Sequence, residues 1–125
     1  MPNCKFTSQY YDYEISDWVN FDCQEEDPLA SGFCIFHDKD YLQDKTNYEE
    51  HKRKVFERLK RKVNYAISNK KPLFCIGFRL ADFSLSDLGI SQEFTIPVYF
   101  SGSQLFGEAD FSDANFQGKA YFYKA

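Results

Sequence analysis

Nowhere in this sequence does an apolar run approach the roughly 20 residues that a helical membrane span needs, so no membrane partner is expected. The opening stretch, from Met1 to Asn20, is polar and carries Asp12, Glu14 and Asp17. It lacks the apolar segment of a secretory leader, and a cytoplasmic location is the expectation. Histidine is scarce, with only His37 and His51, which leaves little for a His-based catalytic triad. Gly-x-Ser-x-Gly, a P-loop and Gly-x-Gly-x-x-Gly are all missing. The carboxylate pairs Glu25–Glu26 and Asp38/Asp40 fall among loop residues, where solvated acidic side chains are the ordinary outcome. No catalytic residue is assigned, and a non-enzymatic protein is expected.

Aromatic residues are abundant instead: 14 Phe and 9 Tyr, against one Trp and one Met. Phenylalanine takes the place usually held by leucine and isoleucine, which suggests a repeated slot shaped for a ring. Charge is segregated. Residues 1–44 carry a net −8, 45–71 a net +7 and 72–125 a net −3, a block pattern that the overall −4 conceals. A chain of 125 residues is enough for one compact unit assembled from sub-modules.

Along the chain, the Tyr10, Tyr11, Tyr13, Ile15 region has the composition of a strand. Residues 22–31 form a loop, with Asp27–Pro28 disfavouring helix. The spacing of Val55, Phe56, Leu59, Val63, Ala66 and Ile67 predicts an amphipathic helix over 47–68. Thr46 or Asn47 is placed as its N-cap, Glu49 and Glu50 complement its dipole, and Asn69 and Pro72 end it. The opposite face is basic: Lys52, Arg53, Lys54, Arg58, Lys60, Arg61 and Lys62. His51, at the start of this helix, is expected to be exposed. Leu73–Phe78 reads as a buried strand, with Cys75 as plain core.

Beyond this point a shorter period takes over. Phe78, Phe83, Leu88, Phe94, Phe100, Leu105, Phe111, Phe116 and Phe122 recur at steps of five or six. From Phe94 the pattern is close to an 11-residue double step. Two positions before each stand small residues at Ala81, Ser86, Ser103, Ala109, Ala114 and Ala120, with Ile76, Gln92 and Val98 as exceptions. Neither the helical nor the strand period produces this spacing, but a chain that turns a corner at every fifth position does. Ala81-Asp-Phe-Ser-Leu, Ala109-Asp-Phe-Ser-Asp and Ala114-Asn-Phe-Gln-Gly resemble the pentapeptide-repeat family. The resemblance covers about 48 residues and implies a right-handed quadrilateral β-helix of about two coils. It also implies binding rather than catalysis. So short an array needs caps, which casts the N-terminal unit and the helix as the N-terminal cap. At the other end the expectation is either a longer chain or pairing with another copy through an open last coil.

Cys4, Cys23, Cys34 and His37 all fall in the first third of the chain. Cys34-Ile-Phe-His37 allows both side chains of one turn to reach a single ion. Cys4 and Cys23 would complete a Cys3His tetrahedron, a common structural zinc site. Reduced cysteines are the norm in the cytoplasm, which ranks a metal above a disulfide. The same residues also admit three buried cysteines with a solvent-facing histidine, or a Cys4–Cys23 or Cys23–Cys34 disulfide. The phrase Gly32-Phe-Cys-Ile-Phe-His-Asp38 resembles small Cys/His zinc modules that precede pentapeptide repeats in some archaeal and bacterial proteins. A closed four-ligand site leaves no open position for substrate, so Zn2+ here would be structural, holding together a segment too small for its own core.

The sequence thus predicts an α+β chain in three parts: a Cys/His module over 1–45, a capping helix and linker over 46–72, and a solenoid over 73–125. A protein-interaction or scaffold role with a protein partner is the first expectation. The alternative is nucleic-acid association through Lys52, Arg53, Lys54, Arg58, Arg61 and Lys62.

Overall fold

The computed structural model describes residues 3–12, 15–84, 93–94, 96–110, 115–116 and 120–121, of which 83–84, 93–94, 107–110, 115–116 and 120–121 are described by backbone alone. Together these residues form a mixed α+β arrangement of one long helix and several small sheets.

The chain opens with an antiparallel hairpin of β1 (Thr7–Asp12) and β2 (Asp17–Asp22), in register from Thr7↔Asp22 to Asp12↔Asp17. Of the strand expected over the Tyr10, Tyr11, Tyr13, Ile15 region, Tyr10 and Tyr11 lie in β1, Tyr13 is outside the described residues, and Ile15 falls instead in the turn, exposed. β2 was not anticipated. Its alternation is short, with Val19 and Phe21 half-buried between exposed Trp18 and Asn20. The hairpin lays Tyr10, Val19 and Phe21 against Phe74, Ile76 and Tyr99, and the Tyr10 and Tyr99 rings meet edge-on at 5.2 Å.

A single 3-10 turn (Tyr41–Gln43) precedes α1 (Tyr48–Ser68). No glycine or proline interrupts the chain from Thr46 to Lys71. The expected stripe is the buried one: Val55, Leu59, Val63 and Ala66 are inside, and Phe56 and Ile67 flank them. Burying each large aliphatic side chain contributes roughly 1.5–3 kcal/mol. Asn47 is the N-cap, but its side chain makes no capping bond. Its amide donates instead to Asp44 Oδ2 at 3.0 Å, while Asp44 Oδ1 accepts the Thr46 N–H at 3.1 Å, so Asp44 organises the turn.

At the other end, Lys71 N–H donates to Ala66 O at 2.9 Å and Lys70 N–H to Ile67 O at 3.3 Å. This is a Schellman closure with Lys70 at φ +53°, a left-handed position that usually holds glycine. Lys70→Gly is therefore expected to stabilise the protein by about 1 kcal/mol. The check is a higher urea midpoint with an unchanged denaturant slope. His51 departs from expectation. It is half-buried, its ring stacked on Tyr41 at 3.8 Å and its Nδ1–H donating to the Tyr41 carbonyl at 2.7 Å.

After Pro72 the chain runs through β3 (Leu73–Phe74), β4 (Arg79–Ser84), β5 (Glu93–Phe94), β6 (Val98–Tyr99), β7 (Gln104–Asp110), β8 (Asn115–Phe116) and β9 (Ala120–Tyr121). Every described pairing among them is parallel, in three ladders: β3–β6–β9, β4–β7 and β5–β8. The sequence offset between partners is the same at Leu73↔Val98 as at Arg79↔Gln104. It is slightly shorter, and again shared, at Glu93↔Asn115 and Val98↔Ala120.

The strand expected over Leu73–Phe78 stops at Phe74, because Gly77 turns a corner. Phe78 N–H closes that turn onto Cys75 O, and at the same offset along the chain Ser103 N–H closes another onto Phe100 O. The third residue of each turn is a left-handed glycine, Gly77 at φ +66° and Gly102 at +69°. The two corners stack through Cys75 N–H to Tyr99 O at 2.7 Å and Gly77 N–H to Ser101 O at 2.9 Å. The β4–β7 register shifts between Ala81 and Phe83, where β7 holds one extra residue opposite Asp82; Asp82, at φ +50°, places its carboxylate 3.1 Å from Lys52 Nζ, which ties the helix to the strand.

Of the expected inward positions, Phe78, Phe100 and Ser103 are buried, and Ala81 and Leu105 are half-buried. The side chains of Phe83, Phe94, Ala109, Phe116 and Ala120 lie outside the described set, as do Ser86, Leu88, Gln92, Phe111, Ala114 and Phe122 altogether. Of the two described exceptions, Val98 joins the main core and Ile76 faces the hairpin. One core draws on all three parts of the chain: Cys34 and Phe36, then Leu59 and Val63, then Leu73, Cys75, Phe78 and Val98. Phe36 and Phe78 stack face to face at 4.2 Å across the junction.

Candidate metal centre

The hairpin explains how distant cysteines meet. Phe6 O accepts the Cys23 N–H at 3.1 Å just below the β1–β2 ladder, and Glu25 O accepts the Cys4 N–H at 2.9 Å. An interval that is loose in sequence thereby becomes a diagonal relation across the base of the hairpin, with Cys23 opposite Phe6 and Cys4 opposite Glu25. Lys5 N–H donates to Gly32 O at 2.9 Å, which brings the third segment alongside. There Cys34 O accepts both the His37 N–H (3.0 Å) and the Asp38 N–H (2.9 Å), and the resulting turn points Cys34 and His37 the same way.

Cys4, Cys23, Cys34 and His37 are all buried, and their ligand atoms lie within 4.8 Å of one another. Cys34 Sγ is 3.3 Å and Cys4 Sγ 3.6 Å from His37 Nδ1, and Cys23 and Cys34 Sγ are 3.9 Å apart. A tetrahedral ion with bonds of about 2.3 Å to sulfur and about 2.0–2.1 Å to nitrogen separates its ligands by roughly 3.5–3.8 Å. The observed spacings suit such an ion. They are far longer than the roughly 2.05 Å of a disulfide, and all four cysteines are free. The solvent-facing histidine also fails, since His37 is only 6% exposed.

The surroundings orient the ligands. His37 Nε2–H donates to Ile76 O at 2.8 Å, which leaves the lone pair on Nδ1, the atom that faces the sulfurs. Outer carbonyl partners of this kind fix the tautomer of metal-binding histidines. Phe6 lies flat on His37 at 3.9 Å and 5°, and Phe78 meets it edge-on. Cys34 N–H points at Cys4 Sγ at 3.1 Å. The hydrogen bond from Cys34 outweighs burial and, with His37, pushes the Cys23 thiol down to about 4. The same bond and burial push the Cys34 thiol up.

Phe6, Gly77, Glu25 and the Ile76 carbonyl belong to this site and were not foreseen. Two of them, Ile76 and Gly77, come from a different part of the chain, beyond the helix. Glu25, in the loop after Cys23, accepts an ion pair from Lys62 at 2.8 Å and clamps that loop to α1. Cys75 stays apart from the cluster, enclosed in the core, where burial pushes its thiol up to about 12.

The basic helix is less free than its composition suggests. Lys52 pairs with Asp82 and Glu49, Arg53 with Glu57, Lys54 with Glu50 and Lys62 with Glu25. Among the described residues Arg58 and Arg61 have no ion pair, and Arg58 is half-buried beside Tyr41 and Asp27. Among the described residues no helix is long and apolar enough to cross a membrane. No protein-family model matches the chain, and neither the curated proteins nor the solved structures contain a match to it.

Proposed function

We propose that this chain is a non-enzymatic binding module whose N-terminal unit is stapled by one structural Zn2+ on Cys4, Cys23, Cys34 and His37. The convergence of three sulfurs and one imidazole nitrogen within 4.8 Å, all buried, carries this reading. Three thiolates and an imidazole are a soft donor set that favours zinc over the hard cations, and four protein ligands leave no position for a substrate. The ion's part is to tie the hairpin base to the Cys34–His37 turn, at the junction where the helix and the first strands pack.

The strands after Pro72 form, in this proposal, a short β-solenoid of the pentapeptide-repeat type. Supporting it are three parallel ladders, partner offsets that recur from one ladder to the next, and a glycine corner that repeats at Gly77 and Gly102. The interval from Val98 to its partner Ala120 is twice the 11-residue double step of the sequence. The regular faces of such a solenoid would serve a protein partner. Nucleic-acid association remains the weaker reading, because four of the six cations it needs are already ion-paired.

Elemental analysis of purified protein tests the metal. About one zinc per chain is expected, and less than about 0.3, with no change on Cys34→Ser, would end the proposal. For the alternative, duplex DNA is titrated at low and moderate salt. No binding, or binding unaffected by reversing Arg58, Arg61 and Lys62, is the expected result.

A further inference from the structure

We propose that the cleft on the outer side of His37 binds a small carboxylate-bearing molecule through Arg79. The cleft has a volume of about 370 Å³ and lies between the hairpin and the two stacked glycine corners, with His37 on its wall. Sites for small molecules start at roughly 300 Å³. The chain has 19 acidic residues, yet none of those described lines this space.

Arg79 is the cationic side chain there. It is half-buried and, among the described residues, makes no ion pair, unlike most cations of the helix. Its backbone N–H is anchored on Phe36 O at 2.9 Å, one residue before His37, so its base is fixed. A second observation is independent of charge. Ser101 lines the same cleft at 4% exposure, and its Oγ is buried with no hydrogen-bond partner. Buried hydroxyls are nearly always satisfied, so this one needs an explanation, and a ligand in the cleft would give it one. Gln104 adds an exposed amide, and Trp18 supplies an apolar part of the wall.

The chemistry of these groups selects the ligand. A planar guanidinium donates two parallel N–H bonds to a carboxylate, the Gln104 amide is a further donor, and the buried Ser101 hydroxyl becomes one when the wall over it yields to the ligand. A doubly charged phosphate would want a second cation, and among the described residues no lysine lines the cleft. The Trp18 wall suits a flat apolar body behind the carboxylate, so benzoate is the probe.

Trp18 is the sole tryptophan and lines the cleft, so the one indole N–H resonance in 1H–15N spectra is assigned without ambiguity to this wall. The full chain is titrated with benzoate, with inorganic phosphate and with sodium chloride at matched ionic strength, and zinc content is measured in parallel. A saturable shift with benzoate is expected, weakened about ten-fold or more in Arg79→Gln at unchanged zinc content. Ser101→Ala should raise the Tm of the free protein and yet weaken benzoate, because the hydroxyl is unsatisfied until the ligand arrives. No saturable shift, equal affinity in both variants, tighter binding of phosphate, or the same shift with chloride would overturn the inference. Ser101→Ala decides the matter if Arg79→Gln does not fold. The inference shares His37 with the zinc proposal but fails separately. A full zinc complement without benzoate binding refutes the cleft, and benzoate binding without zinc refutes the metal.

Discussion

Stripping zinc with a strong chelator is expected to unfold this protein rather than loosen it. Structural zinc contributes an apparent 10–16 kcal/mol or so in small zinc modules, and a whole domain is stable by only about 5–15 kcal/mol. Cys4, Cys23 and Cys34 belong to the same buried cluster as Leu59, Leu73, Phe78 and Val98. Loss of the ion should therefore remove helical circular dichroism together with the hairpin signal, in one transition. Single substitutions grade the effect. Cys34→Ser removes a ligand at a fully enclosed position. It should prevent folding at 37 °C or lower the Tm by more than about 15 °C, a change of 3 kcal/mol or more. Cys75→Ser buries a hydroxyl in the core but touches no ligand, and should cost about 1–3 kcal/mol with zinc still bound. Equal damage from the two variants, or a chelated melt that overlays the untreated one, would contradict a structural ion.

Gly77→Ala is the second substitution with a large expected effect, and Gly102→Ala is its internal control. The two glycines hold nearly the same left-handed conformation, φ +66° and +69°, at stacked corners. A methyl group at either carries a conformational cost of about 1–2 kcal/mol. Their surroundings differ. A Cβ at Gly102 would meet nothing closer than 3.9 Å, whereas one at Gly77 would lie 2.6 Å from the Phe6 ring. That ring is pressed flat on His37, so it can give way only by sliding off the imidazole. Overpacking of this kind adds about 1–3 kcal/mol. Gly77→Ala should therefore cost about 2–5 kcal/mol and weaken zinc retention against a chelator. Gly102→Ala should cost about 1–2 kcal/mol and leave zinc retention unchanged. Denaturant midpoints and competition with a chromophoric chelator measure both.

The helix and the Cys34–His37 half of the Cys/His cluster were legible in the sequence because each rests on a local signal, whereas Cys4 and Cys23 join them only through the hairpin. Val55, Leu59, Val63 and Ala66 announce one face at the helical period, and Cys34-x-x-His37 announces a turn. What escaped depends on contacts between distant segments. β2 is a short alternation whose partner can be known only once the hairpin closes. The stacking of Phe6 on His37, and the Ile76 carbonyl that selects the histidine tautomer, join residues far apart in the chain. His51 looked exposed because its neighbours are charged, but the Tyr41 ring and carbonyl that capture it arrive from the preceding turn. A rhythm of fives and sixes was visible after Phe78, but much of it falls outside the described residues. A glycine corner was hidden within an apolar run, where Gly77 ends a strand that composition alone would have carried to Phe78. The charge blocks suggested an open basic face, yet most of those cations meet acids placed by the fold or by the helical repeat itself.

X-ray absorption at the zinc edge tests the metal centre most directly. Three sulfur neighbours at about 2.3 Å and one nitrogen at about 2.0–2.1 Å, with one sulfur lost in Cys34→Ser, are the predicted result. A shell of nitrogen and oxygen alone, or one unchanged by Cys34→Ser, would contradict it.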